Sequence, residues 1–266
     1  MTIRLIALAL VAVLLALAAG PVGAQVPAAL AIMQKHRELH RAKDEEETLG
    51  VKIMDKSGGV KQRRLVRQTL TGPNGLFKVL VRFTAPRDIA NTGLLIWEAR
   101  DGDDDQWLYL PAVKKVKRIA ASGKKSRFLG TDFAFEDLRP EALASHRYES
   151  AGSETLDGQD CWVIEAFPAS ERQAADSGYS KRKLWVRKDI TQIVKREYYD
   201  TKGRLEKVQH DRRLVNVRGP LWRADEIEMH DVQSNGRTVL TLEKRTLDTG
   251  LKDSLFTETE LAREGS

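Results

Sequence analysis

Through most of the chain after residue 48, apolar and polar side chains alternate with a period of two, the spacing of strands that bury one face. Leu49, Val51 and Ile53 alternate with Gly50, Lys52 and Met54, and Ser57-Gly58-Gly59 then makes a turn. Residues 60–70 read as a strand with one basic face, ended by the turn signal Gly72-Pro73-Asn74-Gly75. Phe77, Val79, Val81 and Phe83 share a face up to Pro86, while Leu94-Leu95-Ile96-Trp97 and Trp107-Leu108-Tyr109-Leu110 are apolar on both faces. Further strands are predicted over 145–152, 160–167, 182–188, 191–199, 204–215, 222–233 and 237–247. Short turns such as Leu156-Asp157-Gly158-Gln159 separate them, which indicates an antiparallel meander rather than βαβ units.

Helical spacing is confined to three places. Residues 27–42 begin with Pro27, suited to a first helical position, and set Ile32, His36 and Leu39 on one face before the acidic run Asp44–Glu47. A short turn at 132–139 and a C-terminal piece at 251–262 complete the inventory. The fold class is therefore mainly β with few helices (α+β), a curved antiparallel sheet of about eleven strands. A large twisted sheet buries one face and wets the other. Strands apolar on both faces must stack against helices or line a cavity, and so little helix predicts an apolar cavity.

The first 24 residues differ from the rest. Arg4 precedes a run without polar side chains at residues 5–19, and Gly20-Pro21 breaks it before Val22-Gly23-Ala24. That pattern predicts a secretory signal peptide cleaved between Ala24 and Gln25, leaving 25–266 as a single exported, periplasmic domain. Export makes nucleic acid an improbable partner despite the modest excess of 44 Lys+Arg over 38 Asp+Glu. The single cysteine, Cys161, excludes an intramolecular disulfide and lies far from the cleavage site, so no lipid anchor is expected there.

Residues 77–138 are dense in aromatic side chains. They contain Phe83-Thr84-Ala85-Pro86-Arg87-Asp88-Ile89-Ala90-Asn91-Thr92, then Trp107-Leu108-Tyr109-Leu110-Pro111-Ala112-Val113-Lys114-Lys115-Val116-Lys117-Arg118-Ile119. They end in Phe128-Leu129-Gly130-Thr131-Asp132-Phe133-Ala134-Phe135-Glu136-Asp137-Leu138. This series resembles the bacterial outer-membrane lipoprotein-sorting family, periplasmic LolA-like proteins similar to the lipoprotein carrier. The resemblance implies an incomplete β-barrel, a half-barrel closed by helices that holds acyl chains in its hollow. It also implies a donor in the inner membrane, an acceptor at the outer membrane, and a carrier that is not an enzyme and needs no cofactor. An envelope-stress lipid sensor of the same fold is the alternative.

Candidate wall residues for acyl chains are Phe77, Val79, Val81, Phe83, Leu95, Trp97, Trp107 and Tyr109, joined by Phe128, Phe133 and Phe135. Each CH₂ of a ligand buried against such a wall contributes ~0.8 kcal/mol. The polar, glycine-containing segment 120–131 reads as a lid over this wall. Lys114, Lys115, Lys117, Arg118, Lys124, Lys125 and Arg127 form a basic patch for anionic head groups, a membrane surface or an acidic partner. No metal site is expected. Asp101, Asp103 and Asp105 start like a calcium loop, but Gln106 and Ala112 stand where it needs Gly and Glu. His36 and His40 lack a third ligand. For hydrolysis, Asp132 and Glu136 would share a helix face, the one arrangement suited to acid–base chemistry. The chain is expected to act as a monomer.

Overall fold

The computed structural model describes residues 28–100 and 104–263. The predicted signal peptide, Asp101 and Asp103 lie outside them. Strands β1 (Asp44–Met54), β2 (Val60–Thr71), β3 (Phe77–Ala85), β4 (Gly93–Trp97), β5 (Asp105–Leu110) and β6 (Lys115–Arg118) form the first half. The second half holds β7 (His146–Leu156), β8 (Gln159–Pro168), β9 (Tyr179–Arg187), β10 (Ile193–Asp200), β11 (Leu205–Arg218), β12 (Leu221–Asp231) and β13 (Gly236–Leu247). Helices α1 (Ala29–Leu39), α2 (Glu171–Asp176) and α3 (Glu258–Ala262) accompany them.

All thirteen strands belong to one antiparallel sheet in the order β6-β5-β4-β3-β2-β1-β13-β12-β11-β10-β9-β8-β7. Every neighbouring pair is consecutive in sequence except β1 and β13, where the start and end of the meander meet at the centre. The edges β6 and β7 do not pair, so the sheet is a curved half-barrel left open. This topology has a direct consequence. The connection from β6 to β7, residues 119–145, runs from one edge of the sheet to the other, and packs against one face on the way.

That inner face carries the largest apolar cluster, which includes Leu49, Val51 and Ile53 of β1 and Val79, Val81 and Phe83 of β3. At the other wing α1 covers the same face, with Ile32 and Met33 packed on Ile164, Leu184 and Ile193. On the outer face α3 and the preceding turn Asp253–Leu255 sit over β3 to β5. The strand count exceeds the predicted eleven. The acidic run Asp44–Glu47 opens β1 instead of only ending the helical pattern, and a turn plus the short α3 replace a continuous helix over 251–262. No helix among the described residues is long and apolar enough to cross a membrane.

Candidate functional site

The apolar part of the inner face is filled by the chain's own β6–β7 connection. Phe128, Phe133 and Phe135 are 3%, 4% and 7% exposed and pack against the strand residues of that face. The Phe128 ring centroid lies 5.7 Å from that of Phe83 and 5.4 Å from that of Phe135. Leu129 and Gly130 both take left-handed backbone angles, φ 49° and 79°, and turn the chain between Phe128 and Phe133. A side chain at Gly130 would meet no atom, so conformation rather than space favours glycine there.

Polar contacts pin this aromatic plug to the sheet at its rim. Asp132 accepts a hydrogen bond from Thr238 Oγ1 at 2.7 Å, while its own backbone N–H donates to the same hydroxyl at 3.0 Å. Arg127 pairs with Asp132 at 3.0 Å and with Asp231. Arg63 of β2 donates to the Leu129 carbonyl at 2.6 Å. The predicted lid segment 120–131 stays largely exposed, and only Phe128 and Thr131 of it are buried; with the buried run 131–135 that follows, Phe128 forms the insertion, and Arg127 and Asp132 fasten it.

The eleven predicted wall residues divide between the two faces. Phe77, Val79, Val81 and Phe83 line the inner face with the three plug phenylalanines. Leu95, Trp97, Trp107 and Tyr109 do not join them. The register pairs Leu80 with Leu95, and Leu95 with Trp107, which places these side chains on the outer face with Leu80. There Phe256 and Leu261 of the C-terminal segment cover them, and Trp97 Nε1 donates to the Phe256 carbonyl at 2.9 Å.

The basic patch also divides. Lys114, Lys115, Lys117 and Lys125 are exposed. Arg118 is exposed but pairs with Asp105, Lys124 donates to the Asp104 carbonyl, and Arg127 serves the plug. Asp132 and Glu136 do not share a helix face, because only Phe135–Leu138 form a helical turn and Asp132 precedes it. Glu136 points to the β9 entry, accepting from Ser177 Oγ and Gly178 N–H, each at 2.8 Å. Burial, then the neighbouring Asp137, raises its carboxyl above the usual range. His36 and His40 hold α1 to the β9–β10 turn through the Thr191 and Ile190 carbonyls. Burial and then His40 hold His36 down at about 3. Among the described residues, no group of three or more His, Cys, Asp or Glu is placed to hold a metal ion.

Beside the plug, between α1 and the sheet, lies a cavity of about 270 Å³. One side is apolar, formed by Phe77, Val79, Phe133, Leu138, Ile227 and Leu240. The remainder carries six arginines and six carboxylates, so the open part of the hollow is not the greasy cavity the pattern predicts. Four of the arginines pair with carboxylates of the same lining, Arg67 among them with Glu47, while Arg37 and Arg139 pair with Glu98 and Asp104 outside it. Arg182 forks onto Glu141 at 2.8 and 3.1 Å, Arg196 grips both oxygens of Asp211 at 3.0 and 3.1 Å, and Arg223 binds Glu45 at 2.8 Å. Burial favours protonated Glu141, but Arg182 and then His146 override it and hold the carboxyl far below the usual range. Sequence reasoning missed these residues. The available signal was Glu45 and Glu47 standing in register with Leu49, Val51 and Ile53, which puts charge on a core-facing stripe.

With this geometry in hand, known proteins place the chain. A family model described as "Uncharacterized protein" matches residues 75–263. An outer membrane lipoprotein-sorting protein domain from Vibrio parahaemolyticus is 31% identical, with a TM-score of 0.84 over 88% of this chain and 98% of that one. The chain belongs to the outer-membrane lipoprotein-sorting family. A DUF1329 family protein from Desulfovibrio piger is 27% identical, with a TM-score of 0.81 over 88% of this chain and 97% of that one. The LolA superfamily protein NE2245 from Nitrosomonas europaea, at 22% identity and a TM-score of 0.69, shares the fold over 88% of this chain and all of its own. No curated protein matches the sequence.

Proposed function

We propose that this chain is a periplasmic carrier that takes up the acyl chains of a lipid or lipoprotein on its inner face and moves them towards the outer membrane. The observation that carries the reading is the aromatic plug. Phe128, Phe133 and Phe135 come from one connection, not from the sheet, and cover Val81, Phe83 and Leu240 as cargo would. Cargo binding is then an exchange. Three buried phenylalanines contribute ~1.5–3 kcal/mol each, whereas two acyl chains at ~0.8 kcal/mol per buried CH₂ exceed that sum. On release the plug returns, and the apolar face is never left wet. An inner-membrane donor, an outer-membrane acceptor and transient contact of Lys114, Lys115 and Lys117 with an anionic surface complete the proposed cycle.

The test is a reversible lock. Asp132→Cys with Thr238→Cys replaces the contact that fastens the plug to β13. Native Cys161 is fully buried and does not compete. The oxidised variant is expected to extract no labelled lipid from vesicles, and reduction is expected to restore extraction to the level of the parent protein. Equal extraction by the locked and unlocked forms would sink the proposal.

A further inference from the structure

The charged cavity has no place in a carrier of bare hydrocarbon. Methylene groups laid against arginine and glutamate side chains gain little, and buried ion pairs are costly to keep where an apolar lining would serve. Yet the lining keeps six guanidinium groups and six carboxylates, four of each paired with one another, around a volume of about 270 Å³. That volume lies just below the ~300–1,000 Å³ of ordinary small-molecule sites. It suits a head group and not a pair of chains.

A second observation points to an occupant. Gln192, on the β9–β10 turn that anchors α1, lines the cavity and is 7% exposed. Its Oε1 has no hydrogen-bond partner among the described residues. A buried acceptor without a donor costs ~1–3 kcal/mol, and a ligand N–H or O–H would remove that cost. The cavity's apolar side adds direction. Phe133 belongs both to this wall and to the plug, so a molecule with its polar end among the charges points its tail under Phe128, Phe133 and Phe135.

We infer that this cavity is the head-group site of an amphiphile whose head is zwitterionic, an ammonium joined to a phosphate. The inference rests on the carrier reading for the tail. Charge matching selects the zwitterion. A purely anionic head would add negative charge to a lining whose arginines already face carboxylates, leaving a buried charge unmatched. A zwitterion sets its phosphate towards Arg67, Arg196 and Arg223 and its ammonium towards Gln192 Oε1, Glu141 and Asp211. Phosphoethanolamine is the simplest such head, free in solution or at the end of a lipid.

Four soluble probes test this on the whole mature protein by calorimetry: dihexanoyl phosphatidylethanolamine, dihexanoyl phosphatidylglycerol, dihexanoylglycerol and O-phosphoethanolamine. The expected result is at least tenfold tighter binding of the phosphatidylethanolamine than of the other two lipids. Gln192→Leu is expected to fold normally, because its Oε1 gives up no bond, and to lose most of that preference while still binding dihexanoylglycerol. Lipids bound without regard to head group, or a preference unchanged in Gln192→Leu, would overturn the head-group site and leave the carrier standing. Binding of O-phosphoethanolamine with no binding of any lipid would uphold the site as one for a free metabolite and remove the carrier. No binding of any probe would remove both.

Discussion

Glu47 marks the point where the inner face changes from apolar to charged. It follows the same stripe of β1 as Leu49, Val51 and Ile53, yet its side chain is a carboxylate only 3% exposed. Arg67 Nε donates to it at 2.8 Å from β2, and Arg245 Nη2 at 2.9 Å from β13. Burial alone would push its carboxyl up, but Arg67 and Arg245 win and hold it below the usual range. The same carboxylate thus satisfies two cations at the seam where the chain's first and last strands join. Glu47→Gln removes the charge and leaves both arginines without their shared partner. The expected cost is about 3–5 kcal/mol of unfolding free energy, read as a lower urea midpoint. A change below about 0.5 kcal/mol, the range of ordinary surface substitutions, would mean that the network does not hold the seam.

At the scale of elements, the C-terminal segment has a role that the sequence left hidden. Gly93 opens β4 at the place where α3 lies against the sheet, and a Cβ there would meet Leu261 Cδ1 at 2.7 Å. Arg82 of β3 donates to the Glu260 and Leu261 carbonyls at 2.9 and 3.1 Å, closing the end of the helix. Leu261 is fully buried, so its Cδ1 yields only by displacing packed neighbours. Gly93→Ala is therefore expected to cost about 1–3 kcal/mol by overpacking. Amide exchange should quicken over residues 253–262 and stay unchanged in the plug. Faster exchange in the plug as well would show that the two faces are coupled.

The same region explains what could be read in advance. Alternation in β1, β3 and β13 was legible, because the period of two survives in their sequences, even in β3, whose Leu80 is covered on the outer face. The face occupied by Leu95, Trp97, Trp107 and Tyr109 was not. These strands are apolar on both sides, and a shift of one residue in register exchanges the faces. The plug phenylalanines stood out as aromatics within a polar stretch. Their depth follows from topology, since an open sheet whose edges are consecutive in sequence must send its connection across. The ion pairs were the least legible. Arg245 and Glu47 stand 198 positions apart, and nothing local to either names the other.

At the scale of the whole molecule, the half-barrel has one face with two kinds of lining. An apolar field is covered by a fastened loop of the protein's own, and beside it lies a small ion-paired cavity. In the proposed cycle, cargo replaces three phenylalanines there and the plug restores the core afterwards. The most direct measurement is native mass spectrometry, with lipid extraction, on the protein purified from the cells that make it. The account predicts a co-purifying lipid or acylated peptide at one per chain, lost when the plug is locked before exposure to membranes. A clean unliganded mass, with no uptake from added vesicles or acylated peptides, would contradict it.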